Sequence, residues 1–275
     1  MAGPRKGPKL KLSCLDAIAP GETLEDKFKN LEKFGFQGIE IWLGSENLQQ
    51  SEKEMREAAS GSSVKPSLII VVNEVFYRPL DSPEAKQAKS EVIKESLRIA
   101  AATGAISLVI PEYGPQLCPP IFLPPAPGEP ERKLLLELLE EVGRYAQDVG
   151  ATLVLEPINR YETRFFHTLD EAVGICKEVG SPNIKVMADL FQMSIEERNI
   201  AESIRRAGKY IHYVHLSDNN RLLPGYGHID FRSAFRALKE IGYEGYMGLE
   251  CAIAGDPEKD LPECVKYLKK CMREC

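Results

Sequence analysis

The sequence predicts a single (β/α)8 barrel, and three observations indicate this fold. The 275 residues, of which 43% are hydrophobic, suit a barrel of this type, which takes about 250 residues. Short apolar runs alternate with longer amphipathic stretches along the chain, as is typical of repeated β-α units around a parallel sheet. Eight such runs are present, and eight parallel strands close a barrel. We therefore expect one domain, residues 1–275.

The apolar runs are short and rich in Val, Ile and Leu, and turn or cap residues and a segment of helical periodicity follow each one. The predicted strands are Leu10–Cys14, Gly38–Trp42, Ser67–Val72, Ile106–Ile110, Thr152–Glu156, Lys185–Asp189, Ile211–Leu216 and Tyr246–Glu250. The clearest predicted helices are Glu84–Thr103, Glu131–Val149, Thr168–Val179, Ile200–Gly208 and Phe231–Ile241. Glycines at 104, 150, 180 and 242 are placed as helix stops.

A proline-rich segment, residues 111–132, interrupts this pattern after the fourth predicted strand. It surrounds the apolar triplet Ile121-Phe122-Leu123 and is too long for an ordinary βα loop and too rich in proline for a helix. Loops at this end of a barrel carry function. The segment is therefore predicted to be either a lid over the substrate or a docking surface for another subunit.

Composition excludes several classes of protein. The net charge of −6 gives no positive field for nucleic acid, and no apolar run approaches the roughly 18 residues of a membrane span. The basic opening, residues 1–6, is not followed by the apolar core of a signal peptide. The seven cysteines are odd in number and include no C-x-x-C pair, which argues against a disulfide framework. We expect a cytoplasmic protein that binds neither nucleic acid nor membrane.

Four residues that can bind a metal stand at or beside the ends of four consecutive predicted strands. They are Glu156, Asp189, His215 and Glu250. The C-terminal strand ends of a barrel form the rim of the active site, where charged residues are usually catalytic. Because three carboxylates in one mouth repel one another, a divalent cation is implied between them. Oxygen ligands with one nitrogen and no thiolate suit Mn²⁺, Mg²⁺ or Co²⁺, and Mn²⁺ is our first expectation.

The stretches around these residues resemble one family of sugar enzymes. They read E-P-I-N-R-Y-E-T at 156–163, D-L-F-Q-M-S-I-E-E at 189–197, H-L-S-D-N-N-R-L-L-P-G-Y-G-H-I-D-F at 215–231 and G-L-E at 248–250. They are similar to the D-tagatose 3-epimerase and D-allulose (psicose) 3-epimerase group of the xylose-isomerase-like sugar isomerases and epimerases. The third stretch is also similar to the 5-keto-L-gluconate epimerase type.

The resemblance implies a metal-dependent ketose 3-epimerase acting on a ketohexose-like sugar or a keto sugar acid, as a homodimer or homotetramer. The implied metal ligands are Glu156, Asp189, His215 and Glu250. Glu156 and Glu250 are also the implied acid-base pair, since inverting a carbon beside a ketone needs one group to remove a proton and another to return it on the opposite face. Charge on the enediolate between these steps would be stabilised by the metal.

Three further residues are predicted to contact the substrate. Glu162 and Arg221 match family positions that hold sugar hydroxyls near the reacting end. Gln192 stands where the family usually has a histidine that contacts substrate oxygens. Glutamine forms hydrogen bonds but does not titrate near neutral pH, so the difference indicates an altered substrate preference.

Other residues have weaker signals. Glu40 is predicted to point into the barrel within a buried polar network, while Trp42, Glu112 and Tyr113 are candidates for the pocket wall. The glycine-containing turn at 225–227 is interpreted as a tight turn rather than a phosphate site, and it precedes a helix that Asp230 is expected to cap.

Alternative activities use the same barrel and metal site. They are an aldose-ketose isomerase, an inosose dehydratase and a subunit that cleaves C-glycosides. An endonuclease IV-like repair enzyme is disfavoured because its three-metal site needs more histidines than the four present. A non-enzymatic scaffold would require the four rim residues to be accidental.

Overall fold

The computed structural model describes residues 10–44, 48–114 and 125–275, except the side chains of 48–50. Eight parallel strands close a barrel in chain order, with the last strand paired to the first. The strands are β1 Lys11–Leu15, β2 Gly38–Gly44, β3 Lys65–Val72, β4 Ile106–Val109, β5 Leu153–Leu155, β6 Ile184–Asp189, β7 Ile211–Leu216 and β8 Tyr246–Leu249. The predicted fold is confirmed.

The helices surround the barrel. Within the described ranges they are α1 Leu24–Phe34, α2 Leu48–Ser60, α3 Pro83–Thr103, α4 Glu129–Val149, α5 Leu169–Val179, α6 Leu190–Glu196, α7 Ile200–Ala207, α8 Phe231–Glu240 and α9 Pro257–Arg273. The five predicted helices correspond to α3, α4, α5, α7 and α8, with ends that differ by at most two residues. No helix within these ranges has the length and apolar character that a bilayer crossing requires.

Several predicted ends of strands and helices differ from the observed ones by one or two residues, among them the ends of β5 and β8. Glu156 and Glu250 lie one residue beyond β5 and β8, because the chain turns away from the ladder at the barrel rim. The proline-rich segment was predicted to extend to Arg132, but α4 begins at Glu129. Proline is tolerated in the first turn of a helix, where its missing N–H needs no partner, so Pro130 fits there. Residues 115–124, with the Ile121-Phe122-Leu123 triplet, lie outside the described residues.

Two apolar layers fix the barrel. The outer layer packs the helices against the strands. A small inner cluster fills the barrel itself and consists of Leu68, Leu108, Val154, Met187 and Tyr213. The ring of Tyr213 meets the ring of His215 edge-on, with centroids 5.8 Å apart. The inner cluster therefore packs directly beneath the rim residues at the ends of β5 to β8.

Glu141 of α4 links this helix to α3. Its Oε1 accepts hydrogen bonds from Lys94 Nζ and Ser90 Oγ, both at 2.6 Å, and its Oε2 accepts one from Lys86 Nζ at 2.9 Å. The bond from Lys94, followed by that from Ser90, lowers the pKa of Glu141 to about 2. Since this pKa lies below the ordinary value, the ionised carboxylate stabilises the fold above about pH 4.5, and the contribution is lost as pH falls towards 2.

Glu141→Gln is therefore expected to lower the free energy of unfolding at pH 7 by about 1–2 kcal/mol, after allowance for solvent screening. The difference from wild type should shrink steadily as pH falls below about 4.5. Urea unfolding of both proteins between pH 7 and about pH 3 measures this, since the range must extend well below pH 4.5. Glu137→Gln, on the same helix but in an exposed pair 3.8 Å from Lys133, is the control and should change little at any pH. A pH-independent difference for Glu141→Gln would contradict the prediction.

Candidate metal centre and active site

The four rim residues converge at the C-terminal ends of β5, β6, β7 and β8. Glu156, Asp189, His215 and Glu250 each place one ligand atom so that all four atoms lie within 4.8 Å of one another. His215 Nδ1 is 3.6 Å from Glu156 Oε1 and 3.4 Å from Glu250 Oε2. The spacing of these residues along the sequence thus corresponds to a compact cluster in space.

Several atoms in this cluster have no hydrogen-bond partner although they are buried. They are Glu156 Oε1, Glu250 Oε2 and His215 Nδ1, although Glu250 Oε2 also forms an ion pair with Arg221 Nη2 at 3.1 Å. Buried polar atoms without partners are rare because each loses its hydration without compensation. Three such atoms that face one another fit the donor set of a divalent cation, with oxygen ligands and one imidazole nitrogen. The group is a candidate metal-binding cluster.

Asp189 is fixed by both of its carboxylate oxygens. As the N-cap of α6 it accepts a hydrogen bond at Oδ1 from the Phe191 backbone N–H at 2.8 Å. Its Oδ2 accepts one from Arg221 Nη1 at 3.0 Å. The direct passage from β6 into α6 therefore holds this carboxylate in one orientation at the rim.

Arg221 spans the cluster from the loop after β7. Its guanidinium lies 3.0 Å from Asp189 Oδ2 and 3.1 Å from Glu250 Oε2, and it stacks 4.3 Å from the ring centroid of Phe191. Among the non-glycine residues that the structure describes, Arg221 alone has a positive φ, of 62°. Such a conformation costs on the order of 1–3 kcal/mol and tends to persist at functional sites.

The loop that holds Arg221 is built around Asp218. Asp218 Oδ2 accepts a hydrogen bond from Gly225 N at 2.9 Å, and its Oδ1 accepts one from Ile229 N at 3.1 Å. A Cβ on Gly227 would lie 2.3 Å from Asp218 Oδ1, so glycine is required there. The turn is tight, as predicted, and Asp230 caps α8 by accepting a hydrogen bond from Ser233 N.

The two glutamates of the cluster differ in their pKa. Burial raises the pKa of Glu156 to about 8. Burial acts in the same direction on Glu250, but His215 and Arg221 overcome it and hold the pKa of Glu250 at about 2. Burial would lower the pKa of His215, yet Glu40 and Glu250 raise it well above its usual value. A bound cation would favour the ionised form of both glutamates.

A cavity of about 770 Å³ opens above the cluster and has two unlike sides. Its polar side, from the ends of β5 to β8, contains Glu156, Glu162, Gln192, Arg221 and Glu250. Its apolar side, from the ends of β2 to β4, contains Trp42, Ile70, Val72, Phe76, Tyr77 and Tyr113. All three residues predicted to contact substrate therefore line the cavity, on the polar side.

Comparison with known proteins agrees with this geometry. The model of the xylose isomerase-like TIM barrel family matches residues 28–271. The chain belongs to the xylose isomerase-like TIM barrel family. The resemblance seen in the rim motifs is thereby confirmed, and it extends over most of the chain.

Several named relatives of this xylose isomerase-like barrel are epimerases, and one is a putative hydroxypyruvate isomerase of Xenopus laevis. The D-psicose 3-epimerase of Enterocloster bolteae is 37% identical over 120 residues, which cover 44% of this chain but only 40% of that protein. The 3-dehydro-D-guloside 4-epimerase of Escherichia coli K12 is 26% identical over 255 residues, 91% of this chain and 95% of that protein. The first match is closer in identity, and the second covers nearly the whole barrel.

Solved structures give the same picture. The apo crystal structure of 3-keto-D-glucoside 4-epimerase from E. coli has a TM-score of 0.85 and 25% identity, covering 96% of this chain and all of that one. A D-psicose 3-epimerase of Clostridium cellulolyticum H10, crystallised with D-tagatose, has a TM-score of 0.79 and 22% identity over 95% of this chain and 99% of that one. At that identity the second match supports the fold alone.

Gln192 presents a hydrogen-bond donor within the site of this xylose isomerase-like barrel. Its Oε1 accepts hydrogen bonds from Asn159 N at 3.0 Å and from Asn159 Nδ2 at 2.6 Å. Its Nε2 is buried and has no partner in the described residues. Because the two Asn159 bonds fix which end of the amide faces the cavity, Gln192 is oriented to donate and not to accept.

The weaker candidates for the pocket wall have different outcomes. Trp42 and Tyr113 line the cavity, but Glu112 does not. Glu112 instead pairs with Arg164 at 2.7 Å and accepts a hydrogen bond from Leu80 N at 3.0 Å. It therefore joins loops beneath the apolar side, which is a structural role.

Lys89 supports the apolar side and was not predicted. It is fully buried in α3, and its Nζ donates to the backbone carbonyls of Val75 and Arg78 at 2.5 and 2.8 Å. These bonds hold the 3-10 helix Glu74–Tyr77, which carries two aromatic residues of the cavity. Burial lowers the pKa of Lys89 to about 8. A lysine in an amphipathic helix ordinarily faces solvent, so sequence gave no signal for this role.

Proposed function

We propose that this protein is a metal-dependent epimerase that inverts the carbon next to the ketone of a sugar, in the first place C3 of a ketohexose-like sugar or keto sugar acid. The observation that carries the proposal is the pair of carboxylates, Glu156 and Glu250, on two non-adjacent strands at the floor of one cavity. Both stand within 3.6 Å of His215 Nδ1, so a substrate held at this cluster is within reach of both.

The residues of the site have different roles in the reaction. A divalent cation held by the four-residue cluster would polarise the ketone and stabilise negative charge on its oxygen. One of Glu156 and Glu250 removes the proton from the adjacent carbon, and the other returns a proton to the opposite face. Which glutamate acts first depends on the starting configuration, so each serves as acid in one direction and as base in the other.

The remaining polar residues position the sugar. Arg221 lies beside both Asp189 and Glu250 and can donate to a hydroxyl near the reacting carbon. The Gln192 Nε2 donates to a second sugar oxygen, and Glu162 accepts from a hydroxyl at the end of the chain. The apolar side of the cavity limits the access of water to the enediolate.

The ion, assembly and location are also proposals. Mn²⁺ is supported by the oxygen-rich donor set with one imidazole, a set that also suits Mg²⁺ and Co²⁺. A homodimer or homotetramer is supported by the resemblance to the ketose 3-epimerase group. A cytoplasmic location is supported by the cysteine pattern and composition of the sequence.

A keto-glycoside is the second candidate substrate, and the size of the cavity favours it. A six-carbon sugar has about 12 non-hydrogen atoms, which at no more than the roughly 30 Å³ of a water molecule each would fill less than half of 770 Å³. The apolar side has room for a group attached to the sugar. The E. coli 4-epimerases of keto-glycosides named above match almost the whole chain.

The test is proton NMR after incubation with Mn²⁺ in D2O, with the ion chelated before acquisition. The substrates are D-fructose, D-tagatose, D-allulose, L-ribulose, 5-keto-L-gluconate and a methyl 3-keto-glucoside. Deuterium at C3 of a ketose, or beside the keto group of the acid, together with the epimer supports the first proposal. Exchange at C4 of the glycoside favours the second candidate. Exchange at C1 with aldose formation indicates an isomerase, and no exchange in any sugar contradicts the epimerase.

Gln192→His, which installs the residue usual in the 3-epimerase group, is expected to change substrate preference. The side-chain amide of Gln192 accepts two hydrogen bonds from Asn159 and presents a donor to the cavity. An imidazole at this position cannot do both from the same places. We expect the ratio of kcat/KM between the best two sugars to change by about tenfold, corresponding to roughly one hydrogen bond. Gln147→His, on the exposed face of α4, is the control. Equal effects on all sugars would show that Gln192 does not select among them.

A further inference from the structure

We propose that Glu40 of β2 is a positioning residue that orients His215 and keeps the hydrogen of its neutral ring on Nε2, which leaves Nδ1 free to bind the metal. Glu40 is completely buried inside the barrel, as the sequence predicted. Its Oε2 lies 3.4 Å from His215 Nε2, on the side of the ring opposite the candidate metal cluster. Glu40 is not a member of that cluster.

Glu40 is itself held rigidly. Its Oε1 accepts a hydrogen bond from the Tyr213 hydroxyl at 2.9 Å. That hydroxyl is also 2.8 Å from Ser67 Oγ, which lies 2.6 Å from Ser13 Oγ. On β8, Gly248 leaves the space that the carboxylate fills, since a Cβ there would lie 1.3 Å from Glu40 Oε1. The network fixes Oε1 and directs Oε2 at the histidine.

The two facing atoms have no other partners. Glu40 Oε2 and His215 Nε2 are both buried, and neither forms a hydrogen bond to any residue that the structure describes. Their separation of 3.4 Å is slightly beyond the usual range of an N–H···O bond. A neutral imidazole that offers Nδ1 to a metal must carry its hydrogen on Nε2, and a carboxylate is a strong acceptor for it. The pair is therefore expected to close when Nδ1 is ligated.

Glu40→Gln tests this with little change of shape. The amide oxygen can still accept from Tyr213, which turns the amide NH2 towards His215 Nε2. To accept a hydrogen bond from this NH2 group, Nε2 must be unprotonated, and the single hydrogen of the neutral ring then sits on Nδ1. Nδ1 is the atom that must bind the ion, so the variant disfavours metal binding. We expect the Kd for Mn²⁺ to rise by about 10–100-fold, measured by the EPR signal of free Mn²⁺ during titration. Glu162→Gln, a substitution of the same type at a residue that lines the cavity, is the control and should change the Kd by less than about threefold.

Glu40→Asp and NMR provide a second measurement. Aspartate retains an acceptor for the Nε2 hydrogen, so it should bind Mn²⁺ more tightly than Glu40→Gln despite its shorter side chain. In wild type loaded with diamagnetic Mg²⁺, the ¹⁵N shifts of His215 should report a hydrogen on Nε2 and a ligated Nδ1. If Glu40→Gln does not fold, the Mn²⁺ affinity of Glu40→Asp and the ¹⁵N shifts of His215 in wild type still test the role of Glu40.

Three outcomes would overturn the inference: wild-type Mn²⁺ affinity in Glu40→Gln, equal affinity of the glutamine and aspartate variants, or a hydrogen on Nδ1 of metal-loaded wild type. Each would leave the metal site and the proposed epimerase intact. If wild-type protein itself does not bind Mn²⁺, the failure is that of the proposed metal-dependent function. The two kinds of failure are thus separated by the wild-type titration.

Discussion

Replacing Glu250 with glutamine is expected to lower kcat for epimerisation by at least about 10³-fold. General acid-base catalysis by one side chain contributes about 10²–10⁴-fold, and Glu250 also offers an oxygen to the candidate metal cluster. The amide can neither remove nor return a proton. Activity is measured by the appearance of the epimer and of solvent deuterium at the reacting carbon, with Mn²⁺ well above its measured Kd.

Two comparisons make this result specific. Glu244→Gln changes an exposed glutamate just before β8 and should leave kcat within about twofold. Glu156→Gln should also abolish epimer formation, since inversion requires both carboxylates. Epimer formation by Glu250→Gln at a rate near that of wild type would show that the second proton donor is another group.

Removal of divalent metal is expected to lower the apparent Tm by roughly 8 °C relative to protein in Mn²⁺ at 1,000 times its Kd. Binding at that ratio stabilises the folded state by about 4 kcal/mol, and each kcal/mol changes Tm by roughly 2 °C or more in a chain of this size. The physical origin is the set of buried carboxylates. Among the described residues, the charged partners of these carboxylates are Arg221 and, when protonated, His215.

Scanning calorimetry with Mn²⁺ and with EDTA measures this difference. Asp189→Asn removes a charged ligand from the cluster, so its Tm should depend far less on Mn²⁺ than that of wild type. An equal shift in wild type and Asp189→Asn would indicate that Mn²⁺ acts elsewhere on the protein. No shift in wild type would contradict the metal centre.

The barrel and its rim could be predicted from sequence because both follow local rules. Eight short apolar runs specify eight strands, and the position of Asp189 or His215 at the end of such a run places it at the rim. The errors at Glu156 and Glu250 were of one residue. Glu40 was also predicted to point into the barrel, and it is buried there.

What Glu40 contacts could not be predicted in the same way. Its partner Tyr213 is 173 residues away in the chain, and the space for its carboxylate depends on Gly248 of a third strand. Lys89 was missed for a related reason, since its carbonyl partners lie outside its own helix. Such roles arise when distant segments meet, and they leave no periodic signal in the sequence.

The division of the cavity into two sides has a consequence for how such a protein can evolve. The metal-cluster residues contact Glu40 and Arg221, which position them. A change in one of these residues therefore requires compensating changes in the others. The apolar wall is contributed largely by side chains at the ends of β2 and β3 and in the segments after β3 and β4. Of these, Trp42 and Tyr77 are exposed and are not part of the metal cluster. Substitutions there can accumulate one at a time, which allows new substrates to be acquired while the chemistry is inherited unchanged.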